Sequence, residues 1–249
     1  MPSDDQFLPP DQGLPVVGVI VAAGSGVRLG GSVPKALRQV NGRSLVARSC
    51  DALVAGGCTD LVVVIADGLQ PDFEAALAGV TVPVHYALGG DRRQDSVVNG
   101  LDVLARVPEL EACRVVLVHD AARALVPPAV VATVISTVQA GAAAVIPVVP
   151  MIDSVRRDHV ISGGHGSSIV DRSELRLVQT PQGFDRQVLL DSHARAVELA
   201  LEVTDDAAVC EANGHDVVLV AGSRDALKIT EPHDVLVAEA ICREREPVR

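Results

Sequence analysis

Two cations accompany a glycine-rich stretch near the start of the chain. Arg28 lies inside the small-residue run at 22–31, and Lys35 follows it directly after Pro34. Glycine reaches positive φ and lets backbone N–H groups come close to a ligand. A loop of this kind after a strand can form a cradle for anions, to which the two cations would add charge. These residue types and their spacing therefore indicate a triphosphate site.

Other glycine motifs fit this stretch less well. A dinucleotide-binding fingerprint needs G-x-G-x-x-G, whereas Gly24, Gly26 and Gly30 give G-x-G-x-x-x-G. The acidic residue that this fingerprint needs about 20 positions later is also missing from the end of the next predicted strand. A Walker loop needs glycine directly before its lysine, whereas Lys35 follows Pro34. A plain glycine turn with solvated basic residues stays open as an alternative.

The elements around this loop predict an α/β fold. Residues 16–21 form an almost unbroken β-branched run, which is typical of a strand buried on both faces. Further strands are predicted at 61–66, 82–87, 114–118, 143–148, 175–180 and 216–221, with helices between most of them. This alternation predicts a mainly parallel sheet between two helical layers, with ligands bound at the carboxyl ends of the strands.

Three further polar positions could take part in chemistry. Residues 89–96 could hold a base or ribose, although a helix-capping turn with Asp91 as the cap explains them more simply. Asp120 ends a predicted strand, where it could meet Mg²⁺ beside phosphate oxygens and water. The alternative for Asp120 is a surface ion pair with Arg123. Lys228 lies in an apolar neighbourhood and could equally be a surface lysine that extends to solvent.

Residues 151–172 depart from the α/β pattern. Two strand-like segments flank a Gly/Ser/His turn at 162–168, which predicts a two-stranded hairpin that leaves the main sheet as a β-arm. A lone hairpin is marginally stable in water. We therefore expect the arm to pack on another surface, such as a second subunit.

Composition narrows the class of protein. The 249 residues fit one domain at 16–249 after a disordered extension at 1–15, and 48% hydrophobic residues suffice for a core. The net charge of −11 argues against nonspecific nucleic-acid binding. The five cysteines are scattered without a C-x-x-C pair, which indicates a reduced, cytoplasmic protein without a zinc site. No apolar run reaches the roughly 18 residues of a membrane span.

Six motifs in order resemble one enzyme family. They are residues 22–28 with Pro34 and Lys35, residues 89–96, residues 118–123, residues 171–172, residues 179–182 and residues 227–230. Together they are similar to the 2-C-methyl-D-erythritol 4-phosphate cytidylyltransferases of the non-mevalonate isoprenoid pathway. Ribitol 5-phosphate cytidylyltransferases share most of the nucleotide-binding motifs and are the nearest alternative. A nucleotide-binding regulatory module without catalysis is an alternative of a different class.

The resemblance implies a Rossmann-like nucleotidyltransferase, three-layered α/β/α, that forms a homodimer through the β-arm. It implies transfer of a cytidylyl group from CTP to methylerythritol 4-phosphate with Mg²⁺ or another divalent cation. The implied catalytic residues are Arg28, Lys35, Arg172 and Lys228, with Arg172 reaching from one subunit's arm into the other subunit's site. The implied CTP-binding residues are Ala22, Ala23, Gly24, Gly26, Gly90, Asp91 and Ser96. The implied substrate-binding residues are Asp120, Arg123, Ser154 and Thr180, with Asp120 also the implied metal contact.

Overall fold

The computed structural model of the protein describes residues 13–24, 26, 29–30, 33–162 and 164–245. Most of the predicted N-terminal extension and the predicted catalytic residue Arg28 lie outside the described residues. Within these ranges, no helix is both long enough and apolar enough to cross a membrane.

Strands and helices alternate along the chain as the sequence predicts. The strands are β1 (Val16–Val21), β2 (Gln39–Val40), β3 (Arg43–Ser44), β4 (Asp60–Ile65), β5 (Val84–Leu88), β6 (Val115–Asp120), β7 (Ala144–Pro150), β8 (Val155–Ile161), β9 (Gly164–Val170), β10 (Arg176–Val178), β11 (Gln182–Asp185) and β12 (Val217–Ala221). The α-helices are α1 (Leu45–Ala55), α2 (Gln70–Leu77), α3 (Arg93–Arg106), α4 (Pro128–Gln139), α5 (Arg186–Glu198), α6 (Asp206–Ala212) and α7 (Pro232–Arg245).

One large sheet forms the middle layer of the molecule. In the described part of the chain it contains eight strands, with neighbours in the order β5, β4, β1, β6, β11, β7 and β12, while β10 pairs with the end of β7. The pairings of β5 with β4, of β4 with β1 and of β1 with β6 are all parallel, as is the pairing of β7 with β12. The predicted mainly parallel sheet is confirmed.

Helices cover both faces of this sheet, because alternate strand residues point to opposite faces. In β1, Val16 and Ile20 join the core under α1, α2 and α4, whereas Val17 and Val19 join the core under α3, α5 and α6. All four of these side chains are buried. The three-layer α/β/α architecture is confirmed.

Strand β11 is a feature that the sequence analysis did not predict. The predicted strand at 175–180 is shorter in the structure, and β11 follows it and pairs antiparallel with both β6 and β7. Gly183 at its centre lets α4 approach, since a Cβ there would lie 3.0 Å from the Leu117 side chain and would clash with Val134. The four residues of β11, Q-G-F-D, do not show the β-branched run that is typical of a strand. The conformation of β11 is therefore determined by its two neighbouring strands.

Residues 155–170 form the predicted β-arm. β8 and β9 pair antiparallel with each other, in a register that brings Val155 opposite Val170, and they form a two-stranded sheet of their own. Most arm residues are exposed, including the apolar side chains of Val160 and Ile169, which are 84% and 69% exposed. The arm thus presents apolar surface that its own chain leaves uncovered.

Candidate active site

A cavity of about 550 Å³ opens at the carboxyl ends of the parallel strands. It lies beside the ends of β1 and β6, which are adjacent in the sheet and pair Val21 with Asp120. The chain leaves β1 for β4 on one side, and β6 lies on the other, so this is the point where the strand order reverses. The cavity is lined by Val21, Ala22, Ala23, Gly24, Lys35, Ala36, Gly90, Asp91, Arg92, Arg93, Ser96, Asp120, Ala121, Ala122 and Lys228.

The first wall of the cavity comes from the loop after β1. The backbone N–H of Ala22 donates to the Val64 carbonyl at 2.9 Å, which fixes the start of the loop to β4. Gly26 has a φ of +64° and lies so close to Lys35 that a side chain at position 26 would clash with it. Lys35 opens a 3-10 turn after Pro34 and lines the cavity. The first residues of the glycine loop, 22–24, and Lys35 therefore share one wall.

The second wall is the turn between β5 and α3. Gly89 donates to the Ile65 carbonyl at 2.8 Å, and the Gly90 N–H donates to the Ser96 hydroxyl at 3.0 Å. The interpretation of Asp91 as the helix cap is wrong, because α3 begins at Arg93 with Arg92 as its N-cap residue, whose backbone N–H donates to the Asp95 carboxylate at 3.1 Å. Asp91 instead lines the cavity beside Gly90 and Ser96.

Asp120 is held at the cavity by two cations. Its Oδ1 lies 3.1 Å from Arg93 Nε, and its Oδ2 lies 2.8 Å from Lys228 Nζ. Burial alone would raise the pKa of the Asp120 carboxyl, but the charges of Arg93 and Lys228 outweigh burial and lower that pKa well below its ordinary value. Asp120 is therefore ionised at neutral pH.

This arrangement corrects two alternatives from the sequence analysis. Arg123 does not form a surface ion pair with Asp120, since its guanidinium donates to the carbonyls of Ala226 at 2.8 Å and Val178 at 3.1 Å. Lys228 does not simply extend to solvent, because Asp120 binds its ammonium group. The N–H of Ile229 donates to the Ala122 carbonyl at 2.9 Å, which keeps Lys228 beside the end of β6.

Thr180 lies behind Asp120 rather than at the cavity wall. Its hydroxyl accepts the Asp120 N–H at 3.0 Å and lies 3.0 Å from His119 Nδ1. Burial lowers the pKa of His119 to about 4, so the ring is neutral at neutral pH and its Nδ1 can accept the Thr180 proton. In this structure the hydroxyl supports the end of β6, and the predicted contacts of Thr180 and Arg123 with substrate stay predictions.

Two predicted residues belong to the arm region and do not line the cavity of their own chain. Ser154 precedes β8, Arg172 follows β9, and both are exposed. The structure brings neither Ser154 nor Arg172 to this cavity. The predicted residues that it brings together there are Ala22, Ala23, Gly24, Lys35, Gly90, Asp91, Ser96, Asp120 and Lys228.

Comparisons with known proteins identify the family of this chain. Residues 16–244 match the family described as 2-C-methyl-D-erythritol 4-phosphate cytidylyltransferase. The chain belongs to this family. A relative of that name from Saccharopolyspora erythraea is 46% identical over 227 residues, which cover 91% of this chain and 98% of the relative.

Solved structures of the cytidylyltransferase family share the fold. The crystal structure of 2-C-methyl-D-erythritol 4-phosphate cytidylyltransferase from Thermus thermophilus is 34% identical, has a TM-score of 0.75, and matches 92% of this chain and 100% of its own. The crystal structure of 4-diphosphocytidyl-2C-methyl-D-erythritol synthase from Anaerococcus prevotii is 24% identical, with a TM-score of 0.77 over 92% of this chain and 96% of its own. At 24% identity, the similarity to the Anaerococcus prevotii structure establishes the fold alone.

Sequence reasoning missed two charged residues of this cytidylyltransferase site. Arg93 lines the cavity and binds both Asp120 and Asp206, whereas the sequence shows it only as one residue of the motif at 89–96. Asp205 is the cap of α6, since its side chain accepts the Ala208 N–H, whereas Asp206 is buried against Arg93. No spacing in the sequence links positions 93 and 206.

The donor set near the cavity bears on the predicted metal contact. Among the described residues, no three metal-binding side chains cluster together. Asp120 could offer one oxygen, because an ionised carboxylate has about four lone-pair sites and Arg93 and Lys228 use only some of them. Mg²⁺ commonly takes one carboxylate together with phosphate oxygens and water. The residues present thus fit an ion held mainly by the nucleotide.

Proposed function

We propose that the protein transfers a cytidylyl group from CTP to 2-C-methyl-D-erythritol 4-phosphate. The products are 4-diphosphocytidyl-2-C-methyl-D-erythritol and pyrophosphate. Membership of the cytidylyltransferase family supports this proposal. The single structural observation that carries it is the shared cavity, in which a glycine-lined wall, Lys35, Lys228 and Asp120 meet at the ends of β1 and β6.

The glycine-lined side of the cavity would bind CTP. Small residues there let backbone N–H groups approach the triphosphate, and Ala22, Ala23, Gly24, Gly26, Gly90, Asp91 and Ser96 would form this surface. Lys35 would neutralise the charge that accumulates on the triphosphate as the α-phosphorus is attacked. Arg28 would serve the same purpose. A volume of about 550 Å³ is in the range of small-molecule sites.

The opposite side would receive the polyol phosphate. Asp120 and Lys228 would contact it, with Arg123, Ser154 and Thr180 around them. A phosphate oxygen of the substrate attacks the α-phosphorus of CTP in line, a new P–O bond forms, and the bond to the bridging oxygen of pyrophosphate breaks. A phosphate monoester is already ionised at neutral pH, so no side chain has to remove a proton. Positioning and neutralisation of charge therefore do most of the work.

Asp120 and the nucleotide phosphates would hold Mg²⁺ or another divalent cation. When bound, the ion would neutralise phosphate charge and orient the triphosphate.

The β-arm would complete the site in a homodimer. Arg172 does not line the cavity of its own chain, and the arm carries exposed apolar side chains that a second subunit could cover. Arg172 of one subunit would then position the attacking phosphate in the other. We place the enzyme in the cytoplasm, because its five cysteines are free and buried rather than paired in disulfides.

An assay of pyrophosphate release with CTP tests the function. The purified protein is given 2-C-methyl-D-erythritol 4-phosphate or ribitol 5-phosphate at equal concentration, and the product is identified by mass. We expect turnover with the first substrate to exceed turnover with the second. Faster turnover of ribitol 5-phosphate would favour the related cytidylyltransferase, and no release with either substrate would favour a binding module without catalysis.

A further inference from the structure

A chain of charged side chains runs from the cavity into the interior. Lys228 Nζ lies 2.8 Å from Asp120, Asp120 lies 3.1 Å from Arg93 Nε, and Arg93 Nη1 lies 2.8 Å from Asp206 Oδ2. Behind it, His193 Nε2 lies 3.3 Å from Asp206 Oδ1. The charges alternate in sign along the series of Lys228, Asp120, Arg93 and Asp206, so each of these groups lies next to a group of opposite charge. Asp206 is the last carboxylate of this series and does not line the cavity.

Asp206 is unusual because it is an acidic side chain that is only 1% exposed. Burial disfavours its charged form, but the nearby charge of Arg93 outweighs burial and lowers the pKa of the Asp206 carboxyl. The helix does not require this carboxylate, since Asp205 already caps α6 by accepting the Ala208 N–H at 2.9 Å. A buried ion pair is weak support for stability by itself. The burial of the Asp206 carboxylate against Arg93 therefore needs another explanation.

We propose that Asp206 is a positioning residue of the active site, which acts through Arg93 to hold Asp120 and Lys228 in place for the polyol phosphate. The proposal rests on the proposed function, in which Asp120 and Lys228 face that substrate. Arg93 is well suited to this role, because a planar guanidinium with five donors can bind two carboxylates in fixed directions at once. A lysine at position 93 could not bridge them in the same way.

Loss of the Asp206 charge would release one side of Arg93. The guanidinium, which lines the cavity, would then be free to turn away from Asp120. Asp120 would lose a fixed partner at Oδ1, and Lys228, which is 45% exposed, depends on Asp120 for its position. Small displacements of groups that orient a substrate can lower the rate about 100-fold. The effect should fall on the polyol phosphate and not on CTP.

The test is Asp206→Asn, which keeps the shape of the side chain and removes its charge. We expect kcat/KM for 2-C-methyl-D-erythritol 4-phosphate to fall by about 10- to 100-fold. The Kd for CTP alone, measured by calorimetry, should stay within about twofold of the unmodified protein. The matched control is Asp205→Asn, which also removes a carboxylate at the start of α6 but contacts Gln182 and Ala208 rather than Arg93.

A double-mutant cycle separates positioning from loss of stability. In an Arg93→Met background, Asp206→Asn should lower kcat/KM by less than about twofold, because its route to Asp120 is already gone. An equal loss in both backgrounds would show that Asp206 acts without Arg93 and would overturn the proposal. Unchanged kcat/KM in folded Asp206→Asn would do the same.

A second variant covers the case in which Asp206→Asn does not fold. Arg93→Lys keeps the charge but cannot span both carboxylates, so it should show the same selective loss of kcat/KM with unchanged CTP binding. A value like that of the unmodified protein would reject the inference. The unmodified protein is assayed first, and its inactivity with CTP and 2-C-methyl-D-erythritol 4-phosphate would reject the proposed function itself.

Discussion

The Nζ atom of Lys228 lies 2.8 Å from Oδ2 of Asp120. Lys228 comes from the loop after β12 and Asp120 from the end of β6, so the fold brings together two distant parts of the chain. The pair keeps an exposed, flexible lysine in a defined position before any phosphate is bound. Because a polyanion would face Lys228 on one side and Lys35 on the other, the two lysines are the natural targets for mutation.

Lys35→Ala should lower kcat by at least about 100-fold, as the loss of a transition-state contact commonly does. Steady-state assays of pyrophosphate release measure the change. Arg106→Ala is the control, because this cation is exposed and its ion pair in the described part of the chain is with Asp102 on the same helix. A folded Lys35→Ala protein with normal turnover would remove this residue from the mechanism.

Mixed dimers test the crossed arm. Lys35→Ala and Arg172→Ala subunits, each inactive alone, should regain about a quarter of the normal sites after random exchange, since one site of every mixed dimer is intact. Lys35→Ala mixed with Lys228→Ala is the control, because both lysines line the cavity of one chain and no intact site can form. Exchange is confirmed by two different affinity tags. Full exchange without recovered turnover would contradict an arm that serves the neighbouring subunit.

The buried His119 predicts a loss of stability in mild acid. Its pKa is lowered to about 4 in the folded protein, whereas the unfolded chain takes up a proton near the ordinary value of 6.5. The free energy of unfolding should therefore fall as pH decreases from 6.5 to 4, by about 2 kcal/mol between pH 7 and pH 5. Well below pH 4 this contribution no longer changes.

Urea denaturation at pH 7 and pH 5 measures this effect. His119→Asn keeps an oxygen near the Nδ1 position and should lose about 2 kcal/mol less than the unmodified protein over this range. The lowered pKa values of Asp120 and Asp206 do not interfere, because the stability that they contribute is lost only below the ordinary aspartate value of 3.8. An equal loss of unfolding free energy in both proteins would show that His119 does not cause the pH dependence.

The cysteines should be unreactive while the protein is folded. All five are free and buried. Burial raises the pKa of Cys50 to about 12 and those of Cys113 and Cys210 to about 11, and it also raises the pKa of Cys58. Because the thiolate is the reactive form, a thiol reagent at pH 8 should label close to none in native protein and all five in denaturant. Rapid labelling of native protein would show that the core opens readily.

Gly100 tests the packing of α3 against the sheet. A Cβ at this position would lie 2.7 Å from a Val19 methyl and 2.9 Å from a Val64 methyl. Gly100→Ala should therefore lower the free energy of unfolding by about 1–3 kcal/mol, although alanine favours helices. Gly79→Ala is the control, because its Cβ would meet no atom within 4 Å. Equal denaturation midpoints for the two variants would mean that α3 can shift to accommodate the methyl group.

Local signals in the sequence predicted much of the fold. The β-branched run of β1 acts within a few residues, and the structure has this strand. The polar hairpin at β8 and β9 is also present. β11 could not be predicted, because its conformation depends on hydrogen bonds to two strands that are distant in sequence.

Local sequence signals likewise predicted some residues of the site, whereas others depend on tertiary packing. The glycine loop, Gly90 and Asp120 follow strands directly, so a pattern of strand ends locates them. The partnership of Arg93 with Asp206 depends on how α3 and α6 pack on one face of the sheet, and nothing local in the sequence indicates it. Likewise, only the tertiary structure shows that the Thr180 hydroxyl binds His119 and the Asp120 backbone.

The position of β11 has a consequence for synthesis on the ribosome. In the described residues β6 and β7 are not paired with each other, and β11 lies between them. A nascent chain that has emerged only as far as the β-arm already contains β6 and β7, but it lacks β11, which pairs with both of them. The half that contains β1, β4, β5 and β6 can assemble early, whereas β7 must wait with an unsatisfied edge until residues 182–185 leave the exit tunnel.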